Sequence, residues 1–126
     1  MLAEHRVYAT IPAADMDRAK GWYRDKLGLT PSTEDQMGCM YQAGGGTSFL
    51  LYPSTSAGQA PNTLLSFTTD DIETEVREMR GHGVSFEDYD MPGLKTVGGI
   101  ATMGGFHSAW FKDSEGNILA VSDEPN

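Results

Sequence analysis

A single cysteine, Cys39, stands among 126 residues, so the chain can close no internal disulfide and has no Cys-x-x-Cys pair for zinc or thiol exchange. Basic side chains are scarce as well: 9 Lys+Arg face 18 Asp+Glu, a net charge of −9. Binding to nucleic acid requires a basic patch that neutralises phosphates, and none is present, so no nucleic-acid partner is expected. No apolar run approaches the ~18 residues that cross a bilayer. The segment MLAEHRVYAT also lacks the basic-then-apolar order of a secretory signal. A cytoplasmic location without a membrane partner is therefore the expectation. Gly44, Gly45 and Gly46 carry no following Lys-Ser or Lys-Thr and do not form a phosphate loop. The length suits one domain, residues 1–126. Its charge is uneven: residues 1–61 carry 5 basic and 6 acidic side chains, residues 62–126 carry 4 and 12. An acidic surface keeps a protein soluble and also attracts cations.

The chain repeats itself. VYATIPAAD leads into MDRAKGWYRDKLGL, and LLSFTTDD leads into IETEVREMRGHGV. Met16, Ala19, Trp22, Tyr23 and Leu27 recur at helical spacing, as do Ile72, Val76 and Met79. Asp15 is placed to cap the first helix. Asp70 with Glu73 forms a capping-box pattern for the second, and Gly28 and Gly83 stand where the helices stop. Short strands are predicted after each helix, near 30–35, 37–42 and 47–53, then near 84–88, 107–112 and 117–122. The repeat is βαβββ, with modules at 1–53 and 62–124 joined by a linker at 54–61. Helix starts lie 56 residues apart but hairpin glycines 70 apart, so the second module holds an insertion of 14. It falls within 89–106, expected to be a loop with one short strand at Ile100 to Met103.

Alternation assigns faces. Val7, Ala9, Ile11, Phe49, Leu51, Leu65, Phe67, Leu119 and Val121 form one apolar face, which the helices cover. The other carries Arg6, Tyr8 and Thr10, then Ser48, Leu50 and Tyr52, then Leu64, Ser66 and Thr68, then Ile118, Ala120 and Ser122. If four-residue hairpin loops pair Tyr41 with Ser48 and Phe111 with Ile118, then Met37, Cys39, Tyr41, His107, Ala109 and Phe111 join this second face. Trp110 takes the core parity unless a one-residue bulge reverses it. Aromatic rings mixed with small hydroxyls match a cavity lining better than a dry core or a Lys- and Glu-rich surface.

The segments IPAADMDRAKGWYRDKLGL and AWFKDSEGNILAV together resemble the vicinal oxygen chelate superfamily, which includes glyoxalase I, bleomycin resistance proteins and extradiol dioxygenases. The resemblance covers nearly the whole chain. It implies an α+β fold in which two βαβββ modules form a cup-shaped mixed sheet with helices on the outer face, and a homodimer. It also implies, in metal-dependent members, a His or Gln on the first strand and a Glu on the last strand of each module. Those positions here hold Tyr8 and Leu50, then Leu64 and Ala120. Leucine and alanine offer a divalent ion no donor, and a neutral phenol is a poor one. No metal, catalytic residue or cofactor is therefore assigned.

Three readings follow. The first is a metal-free binding protein whose cup holds a small organic molecule, cationic or aromatic, with Arg6, Tyr8, Tyr41, Leu50, Tyr52, Leu64, Ser66, His107, Phe111 and Ala120 as its lining. The second is a metal-dependent lyase or dioxygenase of the same superfamily, lactoylglutathione lyase-like, with an unorthodox site. The third is a module whose cup or sheet edge takes a protein partner. His107 is the one histidine placed in the cup; His82 reads as a helix cap, and His5 as structural. Glu87, Asp88 and Asp90 form an acidic cluster suited to solvent or to steering a cation.

Overall fold

In the computed structural model, which describes residues 1–123, the strands are β1 (Ala9–Ala13), β2 (Thr33–Asp35), β3 (Gly38–Gln42), β4 (Ser48–Pro53), β5 (Thr63–Thr68), β6 (Asp90–Met91), β7 (Leu94–Val97), β8 (Ile100–Met103), β9 (Phe106–Lys112) and β10 (Ile118–Ser122). Helix α1 (Met16–Leu27) follows β1, and α2 (Ile72–Gly81) follows β5. Strands order as β1-β4-β3-β2 in one sheet and β5-β10-β9-β8-β7-β6 in the other. In each, the first strand of the module pairs in parallel with the last, β1 with β4 and β5 with β10, and the remaining pairs are antiparallel. The βαβββ repeat is thus realised twice in an α+β fold. The far boundary expected for the second module, residue 124, lies outside the described residues. Among those residues no helix is long and apolar enough to cross a membrane.

Helix α1 starts at Asp15, whose carboxylate accepts from Arg18 N, and stops at Gly28 in the left-handed conformation. Helix α2 is capped by Asp71, which accepts from Thr74 N, rather than by Asp70; its C-cap is His82, one residue before Gly83. Tyr23, Ala19 and Trp22 of α1 pack on Tyr41, Phe49 and Leu51 of the first sheet and on Phe111 and Leu119 of the second. Tyr41 and Phe49 stack at 4.8 Å, and Tyr23 lies 5.7 Å from Tyr41. Ile72 and Val76 of α2 cover Ala109 and Val121. The face assigned to the helices is therefore buried at Ile11, Phe49, Leu51, Leu119 and Val121. Val7, which shares their parity, stands before β1 and is 85% exposed because no helix reaches that far.

Two expectations change. The segment 84–88 makes only one bridge, Phe86 to Phe111. The insertion supplies its own strands instead: β8, at the predicted Ile100–Met103, pairs with β9, and β6 and β7 extend the sheet beyond it. Register also differs, by one residue in each hairpin. Ala43 pairs with Thr47 and Asp113 with Asn117, leaving three-residue loops at 44–46 and 114–116. A three-residue loop needs a residue in the left-handed region, supplied by Gly45 (φ 67°) and Gly116 (φ 87°). Tyr41 consequently pairs with Phe49 and Phe111 with Leu119, so both rings turn to the helix side.

The second hairpin ties the modules together. Asp113 Oδ1 accepts from the backbone N–H of Glu115 and Asn117, and Oδ2 accepts from Tyr23 Oη at 2.7 Å and Asn117 Nδ2 at 2.9 Å. Asn117 Nδ2 also donates to Pro12 O at 2.7 Å, and its Oδ1 accepts from Gly58 N at 3.1 Å. Glu115 accepts from Asp15 N, Arg18 Nε and Nη2, and Ser114 Oγ. One turn thereby holds the end of β1, the start of α1 and the linker. At Gly58 (φ 76°) a Cβ would meet Glu115 O at 2.4 Å, so only glycine lets the linker pass.

Asn117→Ala removes two links to other segments at a site 1% exposed; a loss of about 2–4 kcal/mol in urea unfolding is expected from unsatisfied buried groups. The hydrogen bond from Arg18 holds the Glu115 carboxyl down at about 2, against 4.5 ordinarily. Because the folded value is the lower one, its stabilisation is complete above pH ~4.5 and is lost as pH falls toward ~2. Glu115→Gln is expected to flatten that acid limb of a stability–pH curve while lowering the neutral-pH plateau.

Candidate functional site

The sheet surface turned away from α1 and α2 follows from the observed pairings. Thr10 pairs with Leu50 and Pro12 with Tyr52. Ser66 pairs with Ala120 and Thr68 with Ser122. Ala120 pairs with Trp110, Ser122 with Ser108, and Ser108 with Ala101. Paired residues share a face, so Leu50 and Tyr52 of the first sheet and Ser66, Ser108, Trp110, Ala120 and Ser122 of the second turn to the helix-free side, while Leu64 stands at the irregularity between β5 and β10 without a paired residue. At its centre Ala120, Ser122 and Ser108 are 3%, 4% and 6% exposed. With no helix above them, their burial comes from taller neighbours on the same face. Trp110, paired with Ala120, is half-buried beside them, as are Leu50 and Tyr52 on the first sheet, and Ser66 Oγ lies 3.4 Å from Ser122 Oγ.

Trp110 reaches this side because the three-residue loop reverses the parity expected for it. Its ring meets Tyr89 edge-on at 5.6 Å, with an interplanar angle of 77°. Glu87 N donates to Trp110 O, which fixes the segment carrying Tyr89 beside β9. Tyr89 is fixed from its other side by Thr96, whose Oγ1 accepts from Tyr89 N at 2.8 Å. Burial, and then the neighbouring Glu87 charge, raise the Tyr89 phenol above its ordinary range. A half-exposed indole beside a phenol, flanked by Glu87, Asp88 and Asp90, presents a flat apolar surface next to negative charge.

Of the ten residues assigned to the cup from the sequence, Leu50, Tyr52, Ser66 and Ala120 take the helix-free side, whereas Leu64, at the register shift between β5 and β10, packs against the core. Tyr41 and Phe111 do not: both are 0% exposed and belong to the core under α1, since the hairpin loops are one residue shorter than assumed. Burial pushes the Tyr41 phenol up to about 12, and its hydroxyl is buried without a hydrogen-bond partner among the described residues. Cys39 sits on the same core side, paired with Leu51, and burial raises its thiol, so it is not an activated nucleophile. Arg6 is exposed and donates to Gly46 O at 2.9 Å, fastening the first residues to the hairpin. Tyr8 is exposed and precedes β1. His5 and His82 are exposed.

His107 takes the parity of Ala109 and Phe111, on the helix side. Asp123 provides the carboxylate that the spacing did not reveal: Nδ1 lies 2.7 Å from Asp123 Oδ2, and His107 N donates to Oδ1 at 2.6 Å. These bonds, the backbone one first, hold Asp123 below its ordinary value. The pair closes the open end of the β9–β10 hairpin, away from the helix-free face. Trp110, Tyr89 and Ser108 are residues of this side that sequence reasoning missed; Ser122 takes the face its parity predicts. Counting the loop between paired Asp113 and Asn117 as three residues would have found the first.

No curated protein matches the chain. Among solved structures it is similar to UcmS2 (17% identity, TM-score 0.75, covering 96% of this chain and 99% of that one). It is similar also to TnmS3, an antibiotic binding protein from Streptomyces sp. CB03234 (21% identity, TM-score 0.61, 96% of each chain). A third is a variant of FosX, the fosfomycin resistance protein of Listeria monocytogenes, complexed with Mn(II) and dihydroxypropylphosphonic acid (10% identity, TM-score 0.68, 97% and 91%). These likenesses show the fold. The family model of the Glyoxalase/Bleomycin resistance protein/Dioxygenase superfamily matches residues 5–121, and the chain therefore belongs to that superfamily.

Proposed function

We propose that this protein binds a small organic molecule on its helix-free face, without a metal ion, and that the ligand is a planar aromatic or cationic compound. One observation carries the reading. Where the superfamily's metal sites require donors, this chain has Leu50 and Ala120 on the helix-free side, Leu64 at the register shift between β5 and β10, and Tyr8 outside β1. Among the described residues no three His, Cys, Asp or Glu side chains are grouped to hold a metal. The donor set does not fit the ion, so no lyase or dioxygenase step through one is derived. His107 and Asp123, the one His–carboxylate pair, lie on the helix side and do not supply a base to this face.

What the face offers is stacking and shape. Trp110 and Tyr89 offer aromatic surface, Leu50 an aliphatic side chain, and Ala120 little bulk. Ser66, Ser108 and Ser122 add hydroxyls for orientation. The acidic groups beside Tyr89 favour a cationic ring system. TnmS3, which shares the fold, is an antibiotic binding protein. A homodimer in the cytoplasm completes the proposal.

The chain has two tryptophans, Trp22 and Trp110. Trp22 is packed 5.1 Å from Tyr23 and 6.2 Å from Phe111 and serves as an internal control. Titration with proflavine, a planar aromatic cation, is expected to quench emission saturably in wild type and in Trp22→Phe, and not in Trp110→Phe. Trp110→Ala should weaken proflavine binding about tenfold, the scale of one aromatic contact. Folded protein that responds saturably to neither proflavine nor an equally flat neutral dye, or that purifies with stoichiometric nickel, zinc, iron or manganese, would overturn the reading.

A further inference from the structure

On the opposite side of the molecule, α1 and α2 diverge at their C-terminal ends and leave a trough of about 400 Å³. Its floor is Leu29, Phe67, Met79 and Val121, all from the margin of the core. Arg24 to Gly28 form one wall, and Glu75, Glu78 and His82, one stripe of α2, form the other. The volume lies within the ~300–1,000 Å³ range of small-ligand sites.

The charges of this trough do not cancel. Arg24 Nε is already paired with Asp25 Oδ1 at 2.9 Å. Lys26 turns over Gly83, where a Cβ would come within 2.5 Å of Nζ, and so attends the C-terminal end of α2. Among the described residues no side-chain hydrogen bond or ion pair engages Glu75 or Glu78. Both helices also end at this trough, and their last carbonyls carry partial negative charge. The apolar floor is thus bordered by two uncompensated carboxylates and two helix C-termini.

We propose that this trough is a second ligand site, distinct from the helix-free face, for a small amphiphile with an apolar chain and a cationic head. The chain covers Leu29, Phe67, Met79 and Val121, and the head lies beside Glu75 and Glu78. Anionic amphiphiles of the same length are disfavoured, since Glu75 and Glu78 repel the head and Arg24 is already paired with Asp25.

The test compares octylammonium with octanoate, which share a chain and differ in the sign of the head. In protein labelled at the methionine methyls, the Met79 resonance is assigned with Met79→Leu and followed during each titration. Octylammonium is expected to shift it saturably, with an affinity at least about fivefold above that of octanoate. The double variant Glu75→Gln, Glu78→Gln alters only surface charge and should weaken octylammonium about three- to tenfold, as exposed ion pairs do, without changing Tm. Equal responses to both probes, or an affinity untouched by the double variant, would overturn the site. So would a saturable change confined to Trp110 emission with Met79 silent, an outcome that would leave the binding role of the helix-free face standing.

Discussion

Everything that positions the two faces rests on a single turn. Asp113, Glu115 and Asn117 project from the β9–β10 hairpin into the other half of the chain, where they meet Tyr23, Asp15, Arg18, Pro12 and Gly58. Two sheets that share no backbone ladder need some other means of holding a fixed relation, and buried polar groups can provide it only when every donor and acceptor is matched. Asp113 and Asn117 meet that condition, with both carboxylate oxygens and both polar ends of the amide engaged. Apolar packing of α1 across both sheets then adds cohesion to a geometry that the turn has already set.

That turn also explains how much could be read in advance. The first copy of βαβββ, the two helices and the stop at Gly28 are local features, written in spacing and capping chemistry, and they appear as expected; the strand near 84–88 and the Asp70 cap do not. The helix-covered face was legible too, because Ile11, Phe49, Leu51, Leu119 and Val121 alternate without interruption. Parity across a hairpin is different. It depends on whether a loop holds three residues or four, which hinges on left-handed glycines and on Asp113 pairing with Asn117. One residue of error moved Tyr41 and Phe111 to the wrong side and concealed Trp110. Tyr89 was hidden for another reason: its place is fixed by strands that the insertion forms with its own turns, and no repeat of the first module foretells them. Asp123 escaped because its partnership with His107 spans the width of a hairpin.

The two sides of the sheets have contrasting chemistry. Beneath the helices, large rings interlock: Tyr23, Tyr41, Phe49, Phe111 and Trp22 leave little volume and one orphaned hydroxyl, on Tyr41. On the helix-free side the central positions are small, Ala120, Ser108 and Ser122, and the bulk is displaced to the margins. Small residues at the centre and aromatic ones at the margin create depth without a covering layer. Two of the positions at which a metal-dependent relative is expected to carry ligands, Leu50 and Ala120, lie on this side and hold hydrocarbon side chains.

The hairpins at 44–46 and 114–116 occupy equivalent places in the repeat yet live under different constraints. Around Gly116 the chain is crowded, with Gly58 Cα only 3.3 Å from where a Cβ would stand. Around Gly44, Gly45 and Gly46 there is open space, with nothing within 4 Å of any of the three. The duplicated loop is thus bounded in two ways: one copy by the neighbours packed around it, the other by the left-handed backbone at Gly45 and Gly46 alone, with solvent on every side.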